Sequence, residues 1–249
     1  MRPTDLCFLS MKRWQNDPAA QTPAPVCLQE GVQALYQDAD LLVLNKPPGL
    51  LCVPGRGPDK KDCLSARAQV RWPGALVVHR LDQATSGLVL MARHAAAQRA
   101  LSLAFEQRQV HKRYQAVVHG CLGCAPSNGV GSEHLAWHTI DLPIAADWER
   151  RPLRVIDHAL GKPSVTRWRA LRFNATTHTT RIELEPLTGR THQLRVHMAA
   201  VGHAILGDAL YANAAVQAMA PRLLLHASHL AFAHPVTGEP VQIECAANF

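Results

Sequence analysis

The chain lacks any long apolar run. Stretches such as Leu41–Leu44 and Leu223–Leu225 fall far short of the roughly 20 residues that span a bilayer. The N-terminal region carries Arg2, Lys12 and Arg13 but no apolar core segment and no small-residue cleavage site, which argues against a secretory signal and for a cytoplasmic protein. No glycine-rich phosphate-binding loop is present. Repeats and low-complexity tracts are also missing, which excludes solenoid and array architectures. Acidic residues are in deficit, with 19 Asp and Glu against 26 Lys and Arg, giving a formal net charge of +7 with 14 His besides. That excess favours a polyanionic partner such as nucleic acid and says nothing about fold.

Cysteine is modest and odd in number, seven in all, and reads as reduced thiols in a chain without a secretion signal. Only Cys121 and Cys124 have ligand-like spacing, with His119, His134 and His138 nearby. The stretch from Ala125 to Gly131 is rich in Gly, Ser, Asn and Pro and reads as a plain loop, so no metal is expected.

What the chain does have is 47% hydrophobic residues over 249 positions, enough to bury a full core. Residues 1–30 carry four prolines and little periodicity and are expected to be a flexible lead-in. One domain is expected over residues 31–249. Strands are expected at Ala34–Tyr36 and Leu41–Leu44, joined by an acidic turn and stopped by Asn45-Lys46-Pro47-Pro48-Gly49. Asp62 is a fair cap for a helix through Arg71, and a second helix is expected over 94–109. Strands follow over 110–118, from Ser164 through Leu171, over 179–185 and over 240–245. Strands and short helices mixed without regular βαβ alternation indicate an α+β protein.

Two dense polar knots interrupt this pattern. In the first, His79-Arg80-Leu81-Asp82-Gln83-Ala84-Thr85-Ser86-Gly87 lies between the short apolar runs Leu76–Val78 and Leu88–Met91. A carboxylate and an arginine between buried strands are costly unless they have work or partners. Either Arg80 and Asp82 merely pair in a solvated connection, or they belong to a site. In the second, Thr188-Gly189-Arg190-Thr191-His192-Gln193-Leu194-Arg195 leads into a helix to Val201 that Thr191 can cap. There His192 and Arg195 share one face. His192 and His197 lack a third His or a carboxylate to complete a metal triad, and read as structural or RNA-facing. Tyr114, near the start of its strand, is by itself compatible with half-buried packing.

His-Arg-Leu-Asp followed by Ala-Thr-Ser-Gly-Leu at 79–88 resembles the catalytic-aspartate motif of the RluA family of RNA pseudouridine synthases. Asp40 to Gly55, Lys112-x-Tyr114 and the Leu187 to His197 run match further motifs of that family in the same order. The Asp147-Trp148-x-x-Arg151-Pro152 and Gly161-Lys162-Pro163 segments, and the Ala220 to Ala227 run, are shared with its dual-specificity member. The resemblance covers about residue 33 to the end.

It implies a mixed, largely antiparallel central sheet flanked by helices and loops, with an active cleft across the sheet. It implies Asp82 as the catalytic carboxylate, Arg195 as the cation that pairs with it, and Tyr114 as the ring against the target base. Arg80 is implied to enter the helix stack that the uridine leaves, a role that suits a planar guanidinium. His79, Lys46, Arg56, Arg190 and His192 are candidate RNA contacts. The chemistry needs no cofactor and no metal. The implied substrates are the tRNA anticodon loop and a 23S rRNA hairpin, modified by a monomer. One rival is a synthase for other large-subunit rRNA uridines, which commonly carries an extra N-terminal RNA-binding domain. The other is a catalytically idle RNA-binding or chaperone module.

Overall fold

A computed structural model describes residues 32–57, 60–123 and 136–249. The expected lead-in over residues 1–30, Cys124 and His134 lie outside the described residues. In chain order the elements are β1 (Gln33–Gln37), β2 (Leu41–Lys46), α1 (Leu64–Arg71), β3 (Leu76–Val77), β4 (Ser86–Ala92), α2 (Ala95–Glu106) and β5 (His111–His119). There follow β6 (His138–Asp141), β7 (Ile144–Ala146), β8 (Arg154–Ile156), β9 (Val165–Asn174), β10 (Thr179–Pro186), α3 (Gln193–Ala200), α4 (Ala214–Ala218), β11 (Leu225–Ala233) and β12 (Pro240–Glu244).

Ten strands form one sheet in the order β1-β2-β4-β11-β5-β10-β9-β6, with β12 on β11 and β3 on β4, while β7 and β8 make a separate hairpin. Neighbouring strands run antiparallel except β4 and β11, which run parallel. This is the α+β class expected from the mixture of strands and short helices, with the mixed, largely antiparallel sheet that the resemblance implies. No helix among the described residues is long and apolar enough to cross a membrane.

The parallel joint is the seam of the molecule. β4 is buried along its whole length, which its continuous apolar run Leu88–Ala92 demands. It meets β11 only at Ser86↔His226 and Gly87↔Ala227. Gly87 has φ +109, and a Cβ there would lie 2.3 Å from the Ala227 carbonyl oxygen; only glycine allows the two backbones to touch. On one side β1, β2 and β4 pack with α1 and α2, and on the other Ala116, Val118, Ile182 and Leu184 pack with Leu194 and Met198 of α3. Tyr114 touches both cores. The first polar knot enters β4 at this seam, and α3 carries the second to the same place.

Two expected helix caps are corrected. The thiol of Cys63, not Asp62, caps α1 by accepting from Ala66 N, and Asp62 instead pairs with Arg67 at 2.6 Å. At α3, His192 rather than Thr191 takes the cap position, in a left-handed conformation (φ 58°) without a side-chain cap bond. The buried Gln193 amide does the local work, since its Oε1 accepts from Arg190 N and Thr188 Oγ1. Its Nε2 donates to Val165 O and Thr166 Oγ1 on β9.

Candidate active site

Asp82 is fixed by its neighbours. Leu81 N–H donates to the Cys52 thiol at 3.2 Å. Gln83 is held from both directions, its carbonyl accepting from Gly49 N at 2.8 Å and its amide donating to Gly49 O at 3.0 Å. Thr85 N closes the turn on Asp82 O. The Asp82 carboxylate is 21% exposed and opens into a cleft of about 340 Å³ whose walls include Arg80, Tyr114, Arg190, His192 and Arg195. A second cavity on the side of Cys52 and Gly207 also reaches Asp82.

Lys46 holds this loop rather than RNA. It is completely buried, and its ammonium donates to the carbonyls of Pro47, Leu50 and Gln83 at 2.8–3.0 Å. Burial pulls its pKa down to about 8. All three ammonium donors are spent on the backbone, so the expectation of a phosphate contact at Lys46 is corrected.

Arg195 does approach Asp82, with Nη1 3.7 Å from Oδ2, but its tight partner is another carboxylate. Asp208, fully buried, accepts from Arg195 Nε at 2.8 Å and from Nη2 at 2.6 Å. Burial opposes the guanidinium charge, and Asp208 outweighs it, so the Arg195 pKa is raised. Asp208 in turn accepts from Leu210 N and Tyr211 N. The Arg195 guanidinium also lies 5.1 Å from the centroid of the Tyr211 ring. One cation therefore serves two carboxylates, held by Asp208 through Nε and Nη2 and offered to Asp82 through Nη1 at longer range.

His192 reaches Asp82 from the side of Arg195, with Nε2 3.9 Å from Oδ1. Its Nδ1 lies 2.7 Å from the Tyr211 hydroxyl. That hydroxyl also accepts from Arg154 N, so Tyr211 ties the ring to the β8 backbone. Burial lowers the His192 pKa, so the ring faces Asp82 neutral. His197 is structural, hydrogen-bonded to Thr166 Oγ1 and the Leu142 carbonyl at 2.9 Å each.

Tyr114 lines the cleft. Burial, with the Asp82 charge adding to it, raises its pKa, so it remains a neutral phenol. His79 forms a neutral wall: its ring stacks on Phe105 at 4.5 Å and its Nε2 accepts from Leu90 N at 2.9 Å. Burial pushes its pKa down to about 3, so His79 offers no cation to phosphate. Lys112, beside Phe105, also lines the cleft. Arg80 and Arg190 are exposed and line it too. Arg56 is exposed on the loop after β2 and is not among the residues lining the cleft.

Asp38, Asp40 and His234 bring potential ligand atoms within 4.8 Å of one another. His234 Nδ1 accepts from Val236 N and Thr237 N, so Nε2 keeps the proton that it donates to Asp38 at 3.0 Å. A metal would need that lone pair, and the group is instead a hydrogen-bond clamp between two hairpins. Cys52, Cys63 and Cys245 are free thiols as expected. Cys121 is disulfide-bonded, which corrects the reading of reduced thiols there.

A buried-cation-supported carboxylate on a cleft floor, walled by a neutral tyrosine and rimmed by arginines, can act on a neutral group inside a polyanion. The family profile for RNA pseudouridylate synthase matches residues 40–200. The chain belongs to this family. Over 215 residues it is 44% identical to the dual-specificity RNA pseudouridine synthase RluA of Escherichia coli K12, covering 86% of this chain and 93% of that protein. The RluA of Yersinia pestis is 45% identical over the same length, 98% of that protein. Among solved structures, human RNA pseudouridylate synthase domain containing 1 superposes with TM-score 0.69 at 30% identity, over 87% of this chain and 84% of that one. As an RNA pseudouridine synthase the chain is an isomerase of uridine in RNA. Lys112 and Gln193 lie inside matched motifs without a role being assigned to them, and Asp208 and Tyr211 are assigned none either. For Asp208 and Tyr211 the available signal was two polar side chains in an otherwise apolar run, Ala204–Ala212.

Proposed function

We propose that this synthase isomerises uridines in the tRNA anticodon loop and in a 23S rRNA hairpin. The RluA relatives, whose name records dual specificity, match it over nearly their whole length, and this supports the pair of substrates. The observation that carries the chemistry is Asp82 on the cleft floor, with Arg195 at 3.7 Å and Tyr114 in the wall. Uracil leaves C1′ of its ribose, turns, and rejoins through C5; no electrons are transferred and no group is lost. Asp82 supplies the reacting carboxylate.

Arg195, pinned by Asp208, stabilises the Asp82 charge without closing on it. Tyr114 offers a ring to an extruded base. Extrusion costs a few kcal/mol, least in a loop already poorly stacked, and Arg80 at the rim takes the vacated place in the stack. Arg190 and Arg56 supply phosphate contacts. The enzyme works as a monomer in the cytoplasm, without cofactor or metal.

Pseudouridine mapping of total RNA from cells with and without this gene tests the proposal. Loss of modification in both the anticodon loop and a 23S hairpin is the expected result. Loss only at other rRNA uridines would overturn the substrates and keep the chemistry. No loss anywhere would overturn both and favour an idle RNA-binding module.

A further inference from the structure

Beside the catalytic cleft lies a larger cavity, of about 850 Å³, between the β7–β8 hairpin and the loop that precedes α3. Its lining carries Arg151, Arg154, Lys162 and Arg190 against a single carboxylate, Asp157. Asp157 is occupied, accepting from Ala159 N and Leu160 N at 2.9 Å. The nearby Arg150 is neutralised by Asp147 at 2.7 Å. The cavity is therefore cationic, and its rim is apolar: Trp148 is 71% exposed and Leu160 is 83% exposed. The Arg151 guanidinium lies 3.9 Å from the Trp148 ring centroid, which covers one ring face and presets the indole. An exposed indole so held, inside a basic cavity, is costly surface unless something stacks on it.

Gly189 and Arg190 line both this cavity and the catalytic cleft, so the two adjoin across the loop before α3. The hairpin is also coupled to the catalytic groups, because Arg154 N donates to the Tyr211 hydroxyl that holds His192. We infer that the Trp148–Arg151 pair is a stacking platform for an unpaired nucleotide flanking the target uridine, with Arg190 and Lys162 taking the intervening phosphates. Aromatic faces accept any base, but only a base whose own faces are free. The platform therefore selects RNA with a single-stranded neighbour to the target and is indifferent to that neighbour's identity. This rests on the RNA-isomerising reading above.

The test compares wild type with Trp148→Ala and Trp148→Phe. Affinity is measured by fluorescence anisotropy on two labelled RNAs, a stem with a seven-nucleotide loop and a fully paired duplex, and turnover of the loop RNA is followed in parallel. Trp148→Ala should weaken loop binding roughly tenfold, within the range that removal of one stacking aromatic produces. Trp148→Phe should stay near wild type, and duplex affinity should not change. Equal loop affinity in Trp148→Ala and wild type would overturn the platform, as would an equal loss on the duplex. Wild-type turnover separates the two ideas: an inactive wild type counts against the isomerase reading, while the affinity ratio between variants judges the platform alone.

Discussion

Replacing Asp208 with Asn removes one charge and leaves the shape almost unchanged. Asp208 Oδ1 accepts three donors, Arg195 Nη2, Leu210 N and Tyr211 N, so the asparagine oxygen must stay there. Its NH2 group then sits where Oδ2 accepted from Arg195 Nε at 2.8 Å, and a donor faces a donor. Arg195 is 5% exposed at the side chain and Asp208 is not exposed at all, so water cannot replace the lost acceptor. Breaking one partner of such a buried pair costs roughly 3–5 kcal/mol. That is a large part of the ~5–15 kcal/mol that holds a domain together. At roughly 2–4 °C per kcal/mol for a chain of this size the melting temperature should fall by about 6–20 °C.

Among the described residues Asp82, with Oδ2 3.7 Å from Arg195 Nη1, then becomes the only carboxylate left to Arg195. The guanidinium should then close on it, and kcat should fall more than KM rises. Thermal and urea unfolding, with kinetics on a stem-loop RNA, read both effects. A stability change below about 1 kcal/mol with unchanged kcat would refute the reasoning, because Arg195 would then not depend on Asp208.

Asp82→Ala should abolish isomerisation and shift stability by no more than about 1 kcal/mol, since its ionic contacts are long and the side chain is partly solvated; turnover by the folded variant, measured by tritium release from C5-labelled RNA, would contradict its role. Lys46→Met should lower the urea midpoint by withdrawing a donor from three carbonyls, while the slope of RNA affinity against salt stays put. A phosphate-contacting lysine would instead reduce that slope by about 1. A lysine at about 8 when folded and near 10.4 when unfolded makes the unfolded chain hold the extra proton between those values. Wild-type stability should accordingly gain on Lys46→Met as pH rises from 8 to about 10.5, by up to roughly 3 kcal/mol. Gly87→Ala should cost well over about 1 kcal/mol through its positive φ alone. The overlap with Ala227 adds to this, so circular dichroism melts should show a strongly destabilised or unfolded chain.

The seam explains what could be read from the sequence and what could not. The gathering of Asp82, Arg195 and Tyr114 around one cleft was legible because each sits in a short motif beside a strand or helix whose hydrophobic pattern declares its direction. Their convergence follows once β4, β5 and α3 are placed. Lys46 was misread although its strand carried the signal: Leu41–Leu44 are all fully buried, so the parity Lys46 shares with Leu42 and Leu44 leads inward as the other one does. A lysine on that parity must find acceptors inside, and the Pro47-Pro48-Gly49 turn supplies a backbone that bends back over it. Asp208 was illegible for a different reason. It is 13 residues beyond Arg195 in the chain, and nothing in the local pattern says that the segment after α3 folds back beneath that helix. The carboxylate proposed to act on RNA is thus written into a motif, whereas the carboxylate that restrains its neighbouring arginine comes from the packing. Motif reading paired Arg195 with Asp82, as if the arginine had one partner. With two, the guanidinium cannot collapse onto Asp82, and a carboxylate stabilised at 3.7 Å keeps the reach toward an incoming nucleoside that a tight ion pair would have taken away.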